Sequence, residues 1–244
     1  MTPLPLLYVC ARPQREAAVA EWASFRDGLG VRDDDLVHHD LVREPLPADL
    51  DRYAAVVVGG SPFNVTDPDK TEEQRRLESD LERLAATAIE GRTRALFTCF
   101  GIGVVTRLLG GEVTLLHPED TGPADISLTE AGRADELFGI LSPRFEALTA
   151  HKEGTASVPP TATLLAENDA CPVQAYRAGT GLWATQFHPE PTADAFVARM
   201  EVYRDAGYFD AEAFDQVSAH VRTVSVEQPT LLLRSFAARA VAAA

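Results

Sequence analysis

Three observations predict an α/β protein built on a single doubly wound, mostly parallel sheet, with flanking helices and further helices at the C-terminal end. Up to residue 110 the sequence alternates strand and helix patterns four times, and right-handed strand–helix–strand crossovers wind a sheet of this kind. The run Ala54-Ala55-Val56-Val57-Val58 has no polar alternation, which marks a strand covered on both faces. The 244 residues suffice to bury a sizeable core as one α/β unit. The expected organisation is a main domain over residues 1–200 and a helical extension over 201–244 packed on it.

Leu6-Leu7-Tyr8-Val9-Cys10 is an apolar run of strand length. Pro13 then opens a helix to about Asp27, with Ala17, Ala20 or Glu21, and Ser24 marking its turns, and Gly28 and Gly30 end it. Leu36 to Asp40 is a second strand. Its adjacent His38 and His39 face opposite ways in extended chain and cannot share one ion, so no metal site is read there. The strand at Ala54–Val58 leads into Gly59-Gly60-Ser61-Pro62, where two glycines free the backbone to aim N–H groups. Thr71-Glu72-Glu73-Gln74 is a capping-box pattern, followed at helical spacing by Leu77, Leu81, Leu84 and Ala88 until Gly91.

Ala95 to Gly103 (Ala-Leu-Phe-Thr-Cys-Phe-Gly-Ile-Gly) organises the chain. It reads as a nucleophile elbow: a strand ends at Thr98, the chain reverses at Cys99, and a helix runs from about Ile102 to Leu109. Free N–H groups of that helix and its dipole favour the thiolate of Cys99. Short runs between Glu112 and Gly181, such as Asp125–Leu128 and Thr163–Ala166, predict antiparallel or mixed strands. In Ala184-Thr185-Gln186-Phe187-His188-Pro189-Glu190 an extended segment carries His188 and Glu190 two residues apart, on one side. That is a general base and a group to orient it, with Cys99 as the nucleophile. Helices are expected at about Thr192–Ala206, Ala211–Val221 and Thr230–Ala243, where Phe196, Met200 and Tyr203 are spaced for core packing. The break at Gly207–Asp210 brings aromatic side chains back over the fold.

These motifs resemble the class I glutamine amidotransferases, in particular the glutamine amidotransferase domain of GMP synthase as a free-standing unit. The shared features are Gly59-Gly60, Cys99 with Gly101, His151, and His188-Pro189-Glu190 about ninety residues after the cysteine. The resemblance covers most of residues 4–200 and implies a flavodoxin-like sheet and a Cys99–His188–Glu190 triad. It implies an oxyanion hole from the N–H groups of Gly60 and Phe100, and a substrate pocket lined by Gly59, Gly103, Ala150 and His151. It implies cleavage of a γ-glutamyl amide through a γ-glutamyl thioester, without metal or cofactor. Two departures stand out. Ile102 and Gly103 replace the family's histidine and glutamine, which removes polar partners from the pocket, leaves room for a larger γ-glutamyl amide and predicts poor use of free glutamine. In the loop expected around His151, Ala150 and Glu153 stand where serine and aspartate are usual.

Three readings follow: a hydrolase of substituted γ-glutamyl amides, an amidotransferase subunit supplying ammonia to a separate synthase, and a catalytically silent regulatory member of the fold. No glycine-rich nucleotide loop followed by Lys-Ser/Thr is present, so an ATP-using synthase would be another chain. The 37 acidic against 22 basic residues disfavour nucleic acid and anionic membranes as partners. Cys10, Cys99 and Cys171 are an odd, widely spaced set without a C-x-x-C pair, which fits a reducing compartment. No run is long enough to span a bilayer, and Leu4–Val9 lacks the flanks of a signal peptide, so a cytoplasmic location is expected.

Overall fold

The computed structural model describes residues 4–243, so Met1, Thr2, Pro3 and Ala244, the outer ends of the two expected units, lie outside the described residues. In chain order, β1 (Leu6–Cys10), α1 (Arg15–Leu29), β2 (Leu36–Asp40) and β3 (Val56–Val58) are followed by α2 (Glu72–Ile89), β4 (Ala95–Thr98) and α3 (Phe100–Leu108). Next come β5 (Val113–Thr114), β6 (Glu119–Leu128), α4 (Glu130–Ala134), β7 (Arg144–His151), β8 (Gly154–Thr155) and β9 (Ala162–Glu167). β10 (Ala175–Ala178), β11 (Leu182–Thr185), α5 (Ala193–Val202), α6 (Phe214–Val221) and α7 (Glu227–Ala243) complete the fold.

Nine strands form one mixed sheet in the order β2-β1-β3-β4-β11-β10-β9-β6-β7, and β5 and β8 pair separately. From β2 to β11 every neighbour is parallel. From β11 outward every pairing is antiparallel. The antiparallel half comes from residues 112–181, where short mixed strands were expected. The architecture is the doubly wound, flavodoxin-like α/β sheet, with extra helices at the C-terminal end.

Alternation along β1 shows why helices cover both faces. Leu6, Tyr8 and Cys10 pack with Phe25 of α1 and Leu233 and Phe236 of α7. Leu7 and Val9 pack with Leu77 and Leu81 of α2 and Val105 of α3. Each such side chain contributes about 1.5–3 kcal/mol when fully buried. Helix ends follow their caps. Gly30 ends α1 in the left-handed region (φ 68), and Thr71 accepts the Gln74 N–H at the start of α2. Only half of the expected capping box forms, because the Gln74 amide donates to the Asn64 carbonyl instead.

Two differences from the sequence expectation matter for the site. The strand expected across 184–190 ends at Thr185, and His188 is placed by an isolated antiparallel bridge to Leu148. His151, expected in a loop, closes β7 and is buried. No helix among the described residues is long and apolar enough to cross a membrane.

Candidate active site

Cys99 sits where β4 turns into α3, at the carboxyl end of the parallel strands, where ligands bind in such sheets. Its φ of 49° makes it the only non-glycine residue at positive φ among those described. A residue held in such a region costs about 1–3 kcal/mol and persists only where its surroundings over-determine it. They do so here: the Cys99 N–H donates to the Thr185 carbonyl of β11 (2.8 Å), and the Thr98 hydroxyl donates to the Val58 carbonyl of β3 (2.9 Å). Gly101 lets α3 approach the strand, since a Cβ there would stand 3.0 Å from the Phe97 Cβ. As the first residue of α3, Phe100 carries an N–H without an intrahelical partner.

His188 and Glu190 meet as the spacing predicted, with His188 Nδ1 3.0 Å from Glu190 Oε1. Burial would lower the His188 pKa, but the negative charges of Glu190 and Cys99 outweigh it and push it up to about 9. Burial likewise opposes ionisation of Glu190, yet His188 and Arg199 hold it well below the usual carboxylate range. Arg199 Nη1 donates to Glu190 Oε1 (2.7 Å) and to Glu21 Oε1 (3.1 Å). Glu21, with a fully buried side chain, also accepts from Arg12 Nε (2.8 Å) and the Tyr8 hydroxyl (2.7 Å). A chain of alternating charge therefore runs Arg12–Glu21–Arg199–Glu190–His188. Glu21, His188 and Glu190 are close enough to share an ion, but two guanidinium groups already neutralise these carboxylates.

Gly60, expected to offer its N–H to an oxyanion, donates it to Glu21 Oε1 (3.2 Å) in this structure. Gly59 N–H is likewise taken by the Val9 carbonyl. What the glycines provide is close approach. A Cβ on Gly59 would overlap the Glu21 carboxylate, and one on Gly60 would stand 2.9 Å from His188 Cε1. The next residue, Ser61, is buried and lines the cavities on both sides of Cys99.

Those cavities form two lobes that share Ser61, Cys99, Ala150 and Tyr208. The first contains His188, Arg12 and Arg199. The second contains Phe100, Gly103, His151 and Gln186. Of the expected pocket residues, Gly103, Ala150 and His151 thus line the second lobe, whereas Gly59 lies behind it against Glu21. The room expected from the two elbow departures is absent. Ile102 is buried in the core between α3 and the sheet, and the space beside Gly103 is held by Val65 and Glu153. Glu153 in turn accepts from Val65 N–H (2.8 Å), Thr66 N–H (3.0 Å) and the Thr66 hydroxyl (2.7 Å), which fixes the loop after β3.

A second Cys–His–Glu grouping, Glu119, His151 and Cys171, also has the composition that a triad of this class uses. His151 Nε2 lies 2.7 Å from Glu119 Oε2 and its Nδ1 lies 2.9 Å from the Glu153 carbonyl. Burial would raise the Glu119 pKa, but bonds from His151, Asn168 and Gln174 keep it below its ordinary value. The Cys171 thiol is fully buried, faces the Val173 carbonyl and is pushed up to about 12 by burial. Cys10 is similarly pushed up to about 11, by burial and then by Glu21. Of the three, Cys99 alone has the strained backbone, and it lines both lobes of the cavity.

Arg12, Glu21 and Arg199 escaped the sequence reading. The available signal was charge on an apolar stripe. Glu21 falls between Ala17 and Phe25 on the buried face of α1, and Arg199 lies among Phe196, Val197 and Met200 on that of α5.

The chain matches no family model. It is 28% identical over 148 residues to the glutamine-hydrolyzing GMP synthase of Flavobacterium psychrophilum, a match that covers 60% of this chain and 26% of that protein. It is 24% identical over 190 residues to gamma-glutamyl peptidase 3 of Arabidopsis thaliana, covering 76% of this chain and 72% of the peptidase. A glutamine amidotransferase of Thermotoga maritima superposes with a TM-score of 0.75 at 18% identity, covering 98% of each chain. The chain thus spans about a quarter of the GMP synthase it matches and most of the peptidase. Fold, relatives and a Cys–His–Glu cluster in this setting point consistently to the class I glutamine-amidotransferase-like family.

Proposed function

We propose that the chain is a cysteine-dependent hydrolase of γ-glutamyl amide bonds, with Cys99 as nucleophile, His188 as acid and base, and Glu190 as its orienter. The observation that carries this reading is the strained Cys99 beside a buried His188 held by Glu190, which Arg199 holds in turn. The Cys99 thiolate attacks the γ-carbonyl carbon, and the oxyanion meets the Phe100 N–H, with the backbone at Ser61 as the candidate second donor in place of Gly60. The tetrahedral adduct collapses, the C–N bond breaks, and His188 gives its proton to the leaving amine. Water, deprotonated by His188, then attacks the thioester and releases glutamate and the Cys99 thiol. None of these steps calls on a metal or organic cofactor.

The likeness to a gamma-glutamyl peptidase over three quarters of the chain supports a substituted amide as substrate. The GMP synthase match supports the second reading, a glutaminase that passes ammonia to a synthase. Amine release from a panel of γ-glutamyl amides, measured beside ammonia release from glutamine, separates them. Substituted amides are the expected substrates, and Cys99→Ala should lower turnover by roughly four to six powers of ten. Brisk glutamine hydrolysis with no activity on any substituted amide would assign the chain to the amidotransferase subunits.

A further inference from the structure

The proposed hydrolysis fixes which lobe receives which half of the substrate. His188 must reach the departing nitrogen, and it lines only the first lobe. The γ-glutamyl half therefore occupies the second lobe, and the amine half enters the first. That first lobe is a narrow cavity of about 40 Å³ that opens to solvent. Its walls are apolar and aromatic: Phe196, Met200, Tyr203, Tyr208 and Phe209.

Two guanidinium groups line the same lobe. Arg199 is 6% exposed, and its Nη2 is buried without a hydrogen-bond partner while Nη1 is held by Glu21 and Glu190. Arg12 is equally buried; its Nε donates to Glu21 and its Nη1 to the Tyr203 hydroxyl (3.2 Å). No protein acceptor is found for Arg12 Nη2 among the described residues. A buried donor left unpaired, as Arg199 Nη2 is, is costly, and a planar guanidinium is matched best by a carboxylate.

We propose that the first lobe is a leaving-residue subsite that recognises an apolar amino acid by its α-carboxylate, with Arg199 and Arg12 as its receptors. Resting on the hydrolase reading above, this makes the substrate a γ-glutamyl dipeptide with an apolar second residue. The free carboxylate pairs with the spare Nη2 groups, and the side chain packs on Phe196, Met200 and the aromatic wall. Arg199 so placed would serve twice, orienting Glu190 through Nη1 and holding substrate through Nη2.

The test compares γ-glutamylphenylalanine with its neutral C-terminal amide, γ-glutamylphenylalaninamide, on the unmodified protein. A charge-assisted pair at this site should favour the free carboxylate by roughly ten- to a hundredfold in kcat/KM. In Arg12→Lys, which keeps the charge but loses the fork, that ratio should fall towards one. Equal kcat/KM for the two compounds would overturn the subsite while leaving the hydrolase reading intact. Activity on neither compound, with brisk hydrolysis of glutamine, would overturn both readings.

Discussion

Glu21 occupies the place a side chain on Gly59 would need, so the first glycine of the pair is fixed by packing against a buried carboxylate. Gly59→Ala should cost about 1–3 kcal/mol, as overpacking does, in a denaturant titration. His188 gives a prediction of opposite character. Its pKa stands near 9 in the folded chain against about 6.5 when unfolded. A pKa raised by folding stabilises fully below the unfolded value, so this contribution should be intact at pH 6 and lost as pH rises through 9. Glu190→Gln removes the main charge that lifts the His188 pKa. The alkaline limb of kcat/KM should therefore move to lower pH, with turnover down by roughly two to four powers of ten. An unmoved limb with undiminished turnover would show that another group orients His188. The His188–Glu190 pair was legible because its members are neighbours in sequence. Glu21 and Arg199 were not, because their meeting is set by how α1 and α5 pack against the same sheet end.

At the scale of elements, local signals were read well and long-range pairing was not. The start of α2 was visible in Thr71, whose hydroxyl accepts the Gln74 N–H (3.1 Å). Thr71→Ala should cost about 1 kcal/mol by thermal or chemical denaturation. The elbow was equally plain, because an apolar strand, a cysteine and a glycine at 101 are contiguous. By contrast, the extended look of 184–190 misled: β11 stops at Thr185, and a bridge to Leu148, forty residues upstream, sets His188. The Gly60 N–H likewise meets a side chain from α1 that no local pattern places there. The segment after α5 does return aromatics to the site. Tyr208 packs near Tyr203 at 6.1 Å, Thr121 donates to its carbonyl (3.0 Å), and Lys152 donates to the Ala206 carbonyl (2.6 Å).

For the molecule as a whole, the alternation of strand and helix announced the doubly wound sheet, while the extent of its antiparallel half depended on pairings no local pattern encodes. We propose that residues 201–244 are a layer of the same folding unit as 1–200. Leu232, Leu233, Phe236 and Ala240 share one core with β1 and β11, and Phe236 meets the Trp183 ring edge-on at 6.4 Å. Phe236→Ala should destabilise the whole chain by about 3–5 kcal/mol in a single cooperative transition; an early separate transition would mark the extension as independent. We propose that the Cys–His–Glu set at the elbow, and not the one at Cys171, carries the chemistry. A chloroketone analogue of glutamine, reacted with the intact chain near neutral pH and followed by peptide mass mapping, tests it directly. The predicted result is one adduct, on Cys99, that is lost in His188→Ala. An adduct on Cys171, or equal labelling of Cys10, Cys99 and Cys171, would contradict it.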